Sequence, residues 1–500
     1  MVHGGTTIDA SEPMTGWSAF LDPDRLEALV PEVYARYRPA VMEGMAFFLD
    51  RLPDERMAAI LADQLALPEQ ASEAERLVAL ARHSPALHKL GQVIARDHRL
   101  ASELRQLLQS LETMEPALDR EQVEAALLAE LGPLDRLGVA LDGPPLAEAS
   151  VAIVAPFAWT DPASDERREG VFKLLKPGIE ETLAQELALL VELGAWLDES
   201  CARYGLPYIA YEATFEQVRL LLEREVLLAE EQAHLAAARK TLADVPGVLV
   251  PELLPWCTRR VTAMERVRGR KVTEAADLPP LARQALGTTV VEALLAEPIW
   301  SRAANALFHG DPHAGNLMLT EDGRLALLDW SLAARLGKAQ RAQVTRLLLG
   351  GALLDPAIVR SAVQALAAEP IAQERLDAVI DVALRQLVRG QPLGVAWLTG
   401  LLDEAALEAK ARFPAELLLF RKSLYTASGV VRDVAPELSL DGVLMMSFVR
   451  RLMREWGQRW LEPFASNELA SHLSTADLSR ALLSLPLALQ RGWLLLAKTA

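Results

Sequence analysis

The chain is poor in cysteine: Cys201 and Cys257 are the two it has in 500 residues. Neither belongs to a C-x-x-C pair or a Cys/His cluster, which excludes a disulfide framework and a cysteine-based zinc site and fits a reducing, cytoplasmic setting. Aromatic residues make up only 5%; with Ala and Leu abundant, that composition leans helical. No uninterrupted apolar run approaches the roughly 20 residues needed to span a bilayer. The start, MVHGGTTIDASEPMTGW, has neither the basic nor the apolar segment of a secretion signal. No G-x-G-x-x-G occurs anywhere. An excess of positive charge is lacking as well: the formal charge of −17 excludes a general nucleic-acid binder and leaves only local basic patches.

What is present fills more than one domain, since a chain of this length corresponds to roughly two to four, and a hydrophobic share of 51% is ample for buried cores. Residues 1–15 read as a polar, mobile tail. Residues 16–133 read as all-helical: Asp22–Arg51, Asp54–Leu65, Ala71–Ala81, Lys89–Leu111 and Arg120–Leu131 carry apolar residues at three- and four-residue spacing, punctuated by Pro53, Pro68, Pro85 and Pro116. Lys89 and Gln92 share a face of one of these helices.

The character changes at about Leu134. Val151–Trp159 and Gly170–Leu175 read as strands, entered through the loop Leu146-Ala147-Glu148-Ala149-Ser150. Ala cannot take the positive φ values open to Gly, so this loop is stiffer than a glycine loop. Lys173 follows the second run and precedes Pro177-Gly178. A lysine whose stem is held on a strand suits the α- and β-phosphates of ATP. Long helices are expected over Ile179–Ser200 and Phe215–Leu242, the second carrying Glu225 and Glu231 a little under two turns apart. Pro246–Leu254 and Arg260–Val267 read as strands, the latter ending in a hinge at Arg268-Gly269 where backbone groups of Glu265 to Val267 would face a base. Leu278–Ala296 and Pro298–Leu307 read as helical.

The most informative stretch is FHGDPHAGNLMLTEDGRLALLDWSL, Phe308 to Leu332. Asp322-Gly323 between two apolar runs, Leu317–Thr320 and Leu325–Leu328, is a hairpin signal. An antiparallel hairpin returns to where it began, so the polar set before it (His309, Asp311, His313, Asn316) and Asp329 after it emerge at one end. Asp311 lies five residues before Asn316, and Asn316 thirteen before Asp329. This is the H-x-D-x-x-x-x-N … D layout of kinase-like phosphotransferases. Asp311 can orient or deprotonate a hydroxyl; Asn316 and Asp329 are hard oxygen donors of the kind Mg²⁺ prefers. The bland alternative is a loop of satisfied turn residues. After Asp329 the pattern is helical to the end. In one late helix Arg450, Arg451, Arg454 and Arg459 interleave with Trp456 and Trp460, which fits either a membrane-surface helix or a helix docked on its own lobe.

Together these pieces resemble the UbiB (AarF-type) atypical kinase family, in order along about 400 residues. The family's K-x-G-Q motif appears as Lys89-Leu90-Gly91-Gln92 and its Ala-rich loop as Ala147 to Ala152, with Ala149 and Ser150 at its centre. Its nucleotide lysine and Pro-Gly turn appear as Lys173 and Pro177-Gly178, its E-x-D signature falls on Glu225-Val226-Leu227, and its helix-C glutamate on Glu231. The hinge pattern appears as Met264 to Gly269, and the catalytic loop and metal acid as His309 to Asn316 and Asp329. The third position of E-x-D is Leu, and the metal acid is followed by Trp330-Ser331 without the usual glycine.

The resemblance implies an α+β, bilobal protein-kinase-like fold: a helical extension (16–133), an N-lobe (134–267) and a mostly helical C-lobe (268–500). It implies Mg-ATP bound between the lobes, with Lys89 paired to Glu225 and Lys173 to Glu231, and Glu265 and Val267 at the adenine. Asp311, Lys173 and Glu231 are the implied catalytic set, and Asn316 and Asp329 the metal ligands. ATPase or atypical kinase activity in isoprenoid quinone or lipid metabolism follows, with an isoprenoid lipid or a membrane surface as partner and a cytoplasmic, membrane-peripheral location. Many bacterial relatives end in transmembrane helices, which this sequence does not show. Two other readings compete. His309-Gly310-Asp311-Pro312-His313 with Asp329-Trp330 also looks like small-molecule phosphotransferases of the aminoglycoside and choline kinase type, which are not expected to carry K-x-G-Q. A nucleotide-sensing scaffold without turnover is the third.

Overall fold

A computed structural model describes residues 32–68, 70–94, 118–206 and 210–497. The expected tail over 1–15, the start of the first helix and the far end of the Lys89–Leu111 helix lie outside the described residues. The chain forms two compact units, 1–229 with 254–265, and 230–253 with 266–500. The architecture is α+β.

The first unit is built on a five-stranded antiparallel sheet in the order β1-β3-β4-β6, with β2 also on β3. Its strands are β1 (Val139–Leu141), β2 (Ala147–Glu148), β3 (Ala152–Thr160), β4 (Arg167–Leu175) and β6 (Val261–Glu265); the short β5 (Val248–Leu249) belongs to the second unit. The helices are α1 (Arg38–Leu49), α2 (Asp54–Ala66), α3 (Glu73–Arg82), α4 (Pro85–Ile94), α5 (Arg120–Leu131), α6 (Ile179–Ser200) and α7 (Tyr211–Leu222). Two large apolar cores and a smaller one around Ala40, Cys201, Leu206 and Tyr211 hold them. One joins α5 to the sheet through Val123, Leu127, Ile153, Phe157 and Phe172, the last two stacked with ring centroids 4.0 Å apart. The other joins Phe48, Leu49, Ile60 and Leu80 of the N-terminal helices to Leu175 and Leu187. The boundary read at 133/134 therefore does not divide cores; residues on both sides of it fill the same two.

Helix α4, which carries Lys89, is started by another helix. The Glu186 side chain, fully buried on α6, accepts from Ala86 N and Ser84 Oγ, both at 2.8 Å, and its other oxygen is paired with Arg56. The orphan amides of a helix N-terminus need such acceptors, and a negative charge there also complements the helix dipole. Burial holds the Glu186 carboxyl above its usual range, with Arg56 opposing.

The expected single helix over Phe215–Leu242 is instead two. α7 ends at Leu222, a 3₁₀ turn spans Glu223–Val226, and Leu227 at φ −91°, ψ 63° breaks the path before α8 (Leu228–Thr241). Glu225 and Glu231 thus do not share a helix. No Gly or Pro marks the break; it lets Leu222, Val226 and Leu228 all enter the core with α6, tertiary packing overriding propensity.

In the second unit β9 (Leu317–Thr320) and β10 (Leu325–Leu327) form the expected hairpin, with Leu325 opposite Leu319 and Gly323 at φ 83° in its turn. β5 and β7 (Gly269–Lys271) flank it. β8 (Asn305–His309) and β11 (Ala333–Gly337) form a separate antiparallel ribbon, where the sequence reads as helix on both sides of the catalytic stretch. The helices that follow are α9 (Pro280–Val291), α10 (Lys338–Ala352), α11 (Pro356–Leu366), α12 (Gln373–Val388), α13 (Val395–Leu407), α14 (Ala415–Val434), α15 (Leu440–Arg459) and α16 (Thr475–Ala497).

On α15 three of the four arginines pair with acids of the same unit, while Arg454 is exposed. Arg450 and Arg451 reach Glu292, Arg451 also Glu297, and Arg459 is buried on Glu455 and Ser471. The outward stripe is apolar: Met446, Val449, Met453, Trp456 and Trp460 are exposed at three- and four-residue spacing, and α16 exposes Leu483, Leu489 and Trp493. No helix among the described residues is long and apolar enough to cross a membrane.

Candidate active site

The catalytic stretch is organised by His309, the last residue of β8 and buried to 1% exposure. Its Nδ1 accepts from Asp311 N at 3.2 Å, so the proton sits on Nε2, which donates to Leu328 O at 3.1 Å. Its own carbonyl accepts from Ser423 Oγ at 2.7 Å. One ring thereby fixes the backbone at Asp311 and the residue before Asp329. Gly310 sits between them because nothing larger fits: an added Cβ would lie 2.8 Å from Leu332 O, the atom that accepts from Gly310 N at 2.7 Å.

The hairpin brings the two candidate metal donors together. Leu328 N donates to Asn316 O at 2.9 Å, so Asn316 and Asp329 leave the same end of β9 and β10. Asn316 Nδ2 donates to Asp311 O at 3.1 Å, which commits the amide nitrogen and leaves the side-chain oxygen as the atom that could face a cation. Asp329 lies at φ 43°, a left-handed conformation that Asp tolerates better than most residues; its Oδ1 accepts from Ser331 N at 3.0 Å. Strain of this kind persists where surroundings over-determine it, often at functional sites. Asp311, Asn316 and Asp329 are all half-buried. Two hard oxygen donors fit Mg²⁺, which keeps waters and takes substrate phosphates for its remaining positions. Among the described residues no three His, Cys, Asp or Glu side chains gather as a metal cage.

Of the remaining expected residues, Lys173 is buried on β4, opposite Val154 of β3 and Thr262 of β6. Ala149 N donates to Ala152 O at 2.8 Å, making the Ala-rich segment a tight turn between β2 and β3 with Ser150 buried and Ala149 exposed. Lys89 Nζ lies 3.0 Å from Glu225 Oε1, both about three-quarters buried. Gln92 lies on α4, its side chain outside the described residues. Glu231 is buried on α8 and belongs to the second unit, whereas Lys173 belongs to the first. Glu265 ends β6 in the first unit, and Val267 lies in the second, whose later segment begins at Arg266. Three residues the sequence reading did not single out join the site: Ser423, Lys422, whose Nζ lies 3.2 Å from Asp311 Oδ1, and His234 on α8, whose Nδ1 lies 3.2 Å from Trp330 O.

A profile of the ABC1 atypical kinase-like domain matches residues 110–362, which takes in the β3–β4 hairpin, Glu231 and the whole catalytic stretch. The chain belongs to this UbiB-type atypical kinase family. An uncharacterized protein of Mycobacterium tuberculosis is 29% identical over 266 residues, 51% of this chain and 52% of its own. A probable protein kinase UbiB of Marinobacter nauticus is 24% identical over 411 residues, 78% of this chain and 71% of that one. A solved M. tuberculosis structure, titled as an erythromycin complex, aligns over 77% of this chain and 95% of that one at 20% identity, TM-score 0.46. The chain thus spans about half the length of the mycobacterial relative it matches.

The site's histidine gives this family member a pH signature. Burial holds the His309 imidazolium well below its usual pKa, with the Leu328 carbonyl and nearby acids opposing. Elsewhere in the same unit His472 is pushed down to about 4 by burial and Arg341. A depressed imidazole contributes stability that is whole above about pH 6.5 and is lost as pH falls through the folded value. For His472 alone the shift corresponds to roughly 3 kcal/mol. The urea midpoint is therefore expected to fall between pH 7 and pH 4.5; a midpoint that stays level would contradict the neutral, buried imidazoles.

Proposed function

We propose that the protein binds Mg-ATP and turns it over as an atypical kinase or ATPase supporting isoprenoid quinone or related lipid metabolism, in the cytoplasm and peripheral at a membrane. The observation that carries this reading is the His309-centred arrangement, which fixes Asp311 and brings Asn316 and Asp329 to one hairpin end. In this reading Lys173 serves the α- and β-phosphates. Mg²⁺ would be held by Asn316 and Asp329 and would neutralise charge on the phosphates. Asp311 takes the proton of a water or acceptor hydroxyl as that oxygen bonds to the γ-phosphorus, and ADP leaves with the electron pair of the broken P–O bond.

The Lys89–Glu225 ion pair favours this reading over an aminoglycoside or choline kinase type, in which K-x-G-Q is not expected. A membrane-surface partner is supported by the outward apolar stripe of α15 and by the exposed Leu and Trp of α16, since tryptophan and apolar side chains on one helix face settle at a lipid interface.

The test is ADP release by the wild type and by Asp311→Asn, with and without phospholipid vesicles. Turnover lost by at least about a hundredfold in the variant, and raised by vesicles in the wild type, is expected. No turnover under any condition would leave the sensing scaffold as the better reading.

A further inference from the structure

The acid of the catalytic loop is met by a cation that the loop does not contain. His309 to Asn316 includes no lysine or arginine, and the ring two residues after Asp311, His313, is used locally, its Nδ1 accepting from Gly315 N at 3.0 Å. The cation comes from α14, far along the chain and beyond the region the family profile matches. Lys422 Nζ lies 3.2 Å from Asp311 Oδ1.

Three neighbouring residues of α14 grip three consecutive residues of the loop. Ser423, fully buried, donates to His309 O at 2.7 Å. Leu419 lies where a Cβ on Gly310 would meet it at 3.1 Å. Lys422 takes Asp311. An exposed lysine–carboxylate contact is usually worth little, because two long side chains must be ordered to make it. Here the buried Ser423 hydroxyl already ties α14 to the loop backbone at His309, so much of that ordering is already in place. Lys422 keeps 43% of its side chain exposed, which puts the pair at a solvent-accessible face, where an incoming hydroxyl can arrive.

We propose that Lys422 is a positioning residue for Asp311. With Oδ1 held by Lys422, rotation of the carboxylate about its Cβ–Cγ bond is restricted, which favours one orientation of Oδ2 toward the proton it takes. Alignment of this kind acts on the chemical step and leaves nucleotide binding alone. The inference rests on the reading of Asp311 as the proton acceptor.

The experiment compares wild type, Asp311→Asn, Lys422→Met and Lys422→Arg in ADP release, with kcat and KM for ATP taken separately and the thermal shift on adding Mg-ATP recorded for each. Lys422→Met keeps the stem and drops the charge. Its kcat is expected to fall by about tenfold to a hundredfold, with KM and the nucleotide shift as in the wild type. Lys422→Arg should recover most of the rate, and Lys422→Met added to Asp311→Asn should cost nothing further. If Asp311→Asn loses turnover while Lys422→Met keeps it, Lys422 is a bystander and the inference falls alone. If Lys422→Met raises KM at constant kcat, Lys422 is a nucleotide contact and the inference again falls. If Asp311→Asn turns over normally, the assignment of Asp311 falls and takes the inference with it.

Discussion

Replacing Asp329 by Asn is expected to remove most of the thermal stabilisation that Mg-ATP confers. The substitution keeps the side chain's shape, and the amide oxygen can still accept from Ser331 N, the bond that Asp329 Oδ1 now makes. The left-handed backbone at this position is tolerated by Asn at least as well as by Asp. The apo protein should therefore melt near the wild-type temperature. What would change is the charge facing a bound Mg²⁺, and with it the metal's hold on the phosphates. A ligand bound only by the folded state at a hundred times its Kd adds about 2.7 kcal/mol to apparent stability. That increment should all but disappear in the variant, while nucleotide added without Mg²⁺ should affect both proteins alike. An Asp329→Asn protein that shifts as far as the wild type in Mg-ATP would remove this residue from the metal site.

Lys89→Glu is expected to lower both stability and turnover, and Glu225→Lys on that background to return much of each. The two side chains meet at 3.0 Å and are about three-quarters buried, so screening by water is partial and the like-charge arrangement is costly. Residues in such contact couple by roughly 0.5–3 kcal/mol in a double-mutant cycle. Each single reversal creates a repulsion that the swap relieves, which separates this pair from two independent surface charges. Melting temperature and ADP release should be read on all four proteins. Strictly additive effects would make Lys89 a solvated lysine and leave the motif around it without a role.

The sequence disclosed the site far better than the surrounding scaffold. Asn316 and Asp329 flank a single hairpin whose turn and runs are local, and Asp311 lies in the loop just before it, so spacing alone could bring the candidate residues together. The sequence reads as helix through Leu307 because Ala and Leu there suit one; the strand partner of 305–309, β11, lies beyond the hairpin, and only that pairing makes them extended. The break at Leu227 was hidden for a similar reason, as it serves a core assembled from distant helices. Lys422 and Ser423 looked like any two positions on an amphipathic helix, since nothing near them in the chain hints at the loop they hold. The Lys89–Glu225 pairing came from family resemblance, because no spacing rule joins residues that far apart.

Glu186 has a consequence for how the N-terminal helices can be separated from the rest. A chain trimmed to begin at β1 would take away Arg56, Ser84 and the Ala86 amide, and with them the helices that cover this carboxylate. The carboxylate would turn to water, and the apolar face of α6 that packs on Phe48, Leu49, Ile60 and Leu80 would be laid bare beside it. A truncated protein would therefore report on a damaged fold as much as on a missing segment. Transplanting the segment onto another scaffold meets the same obstacle in reverse: the smallest portable piece is residues 32–94 together with 179–200, because the helix bearing Lys89 has its first turn anchored outside itself.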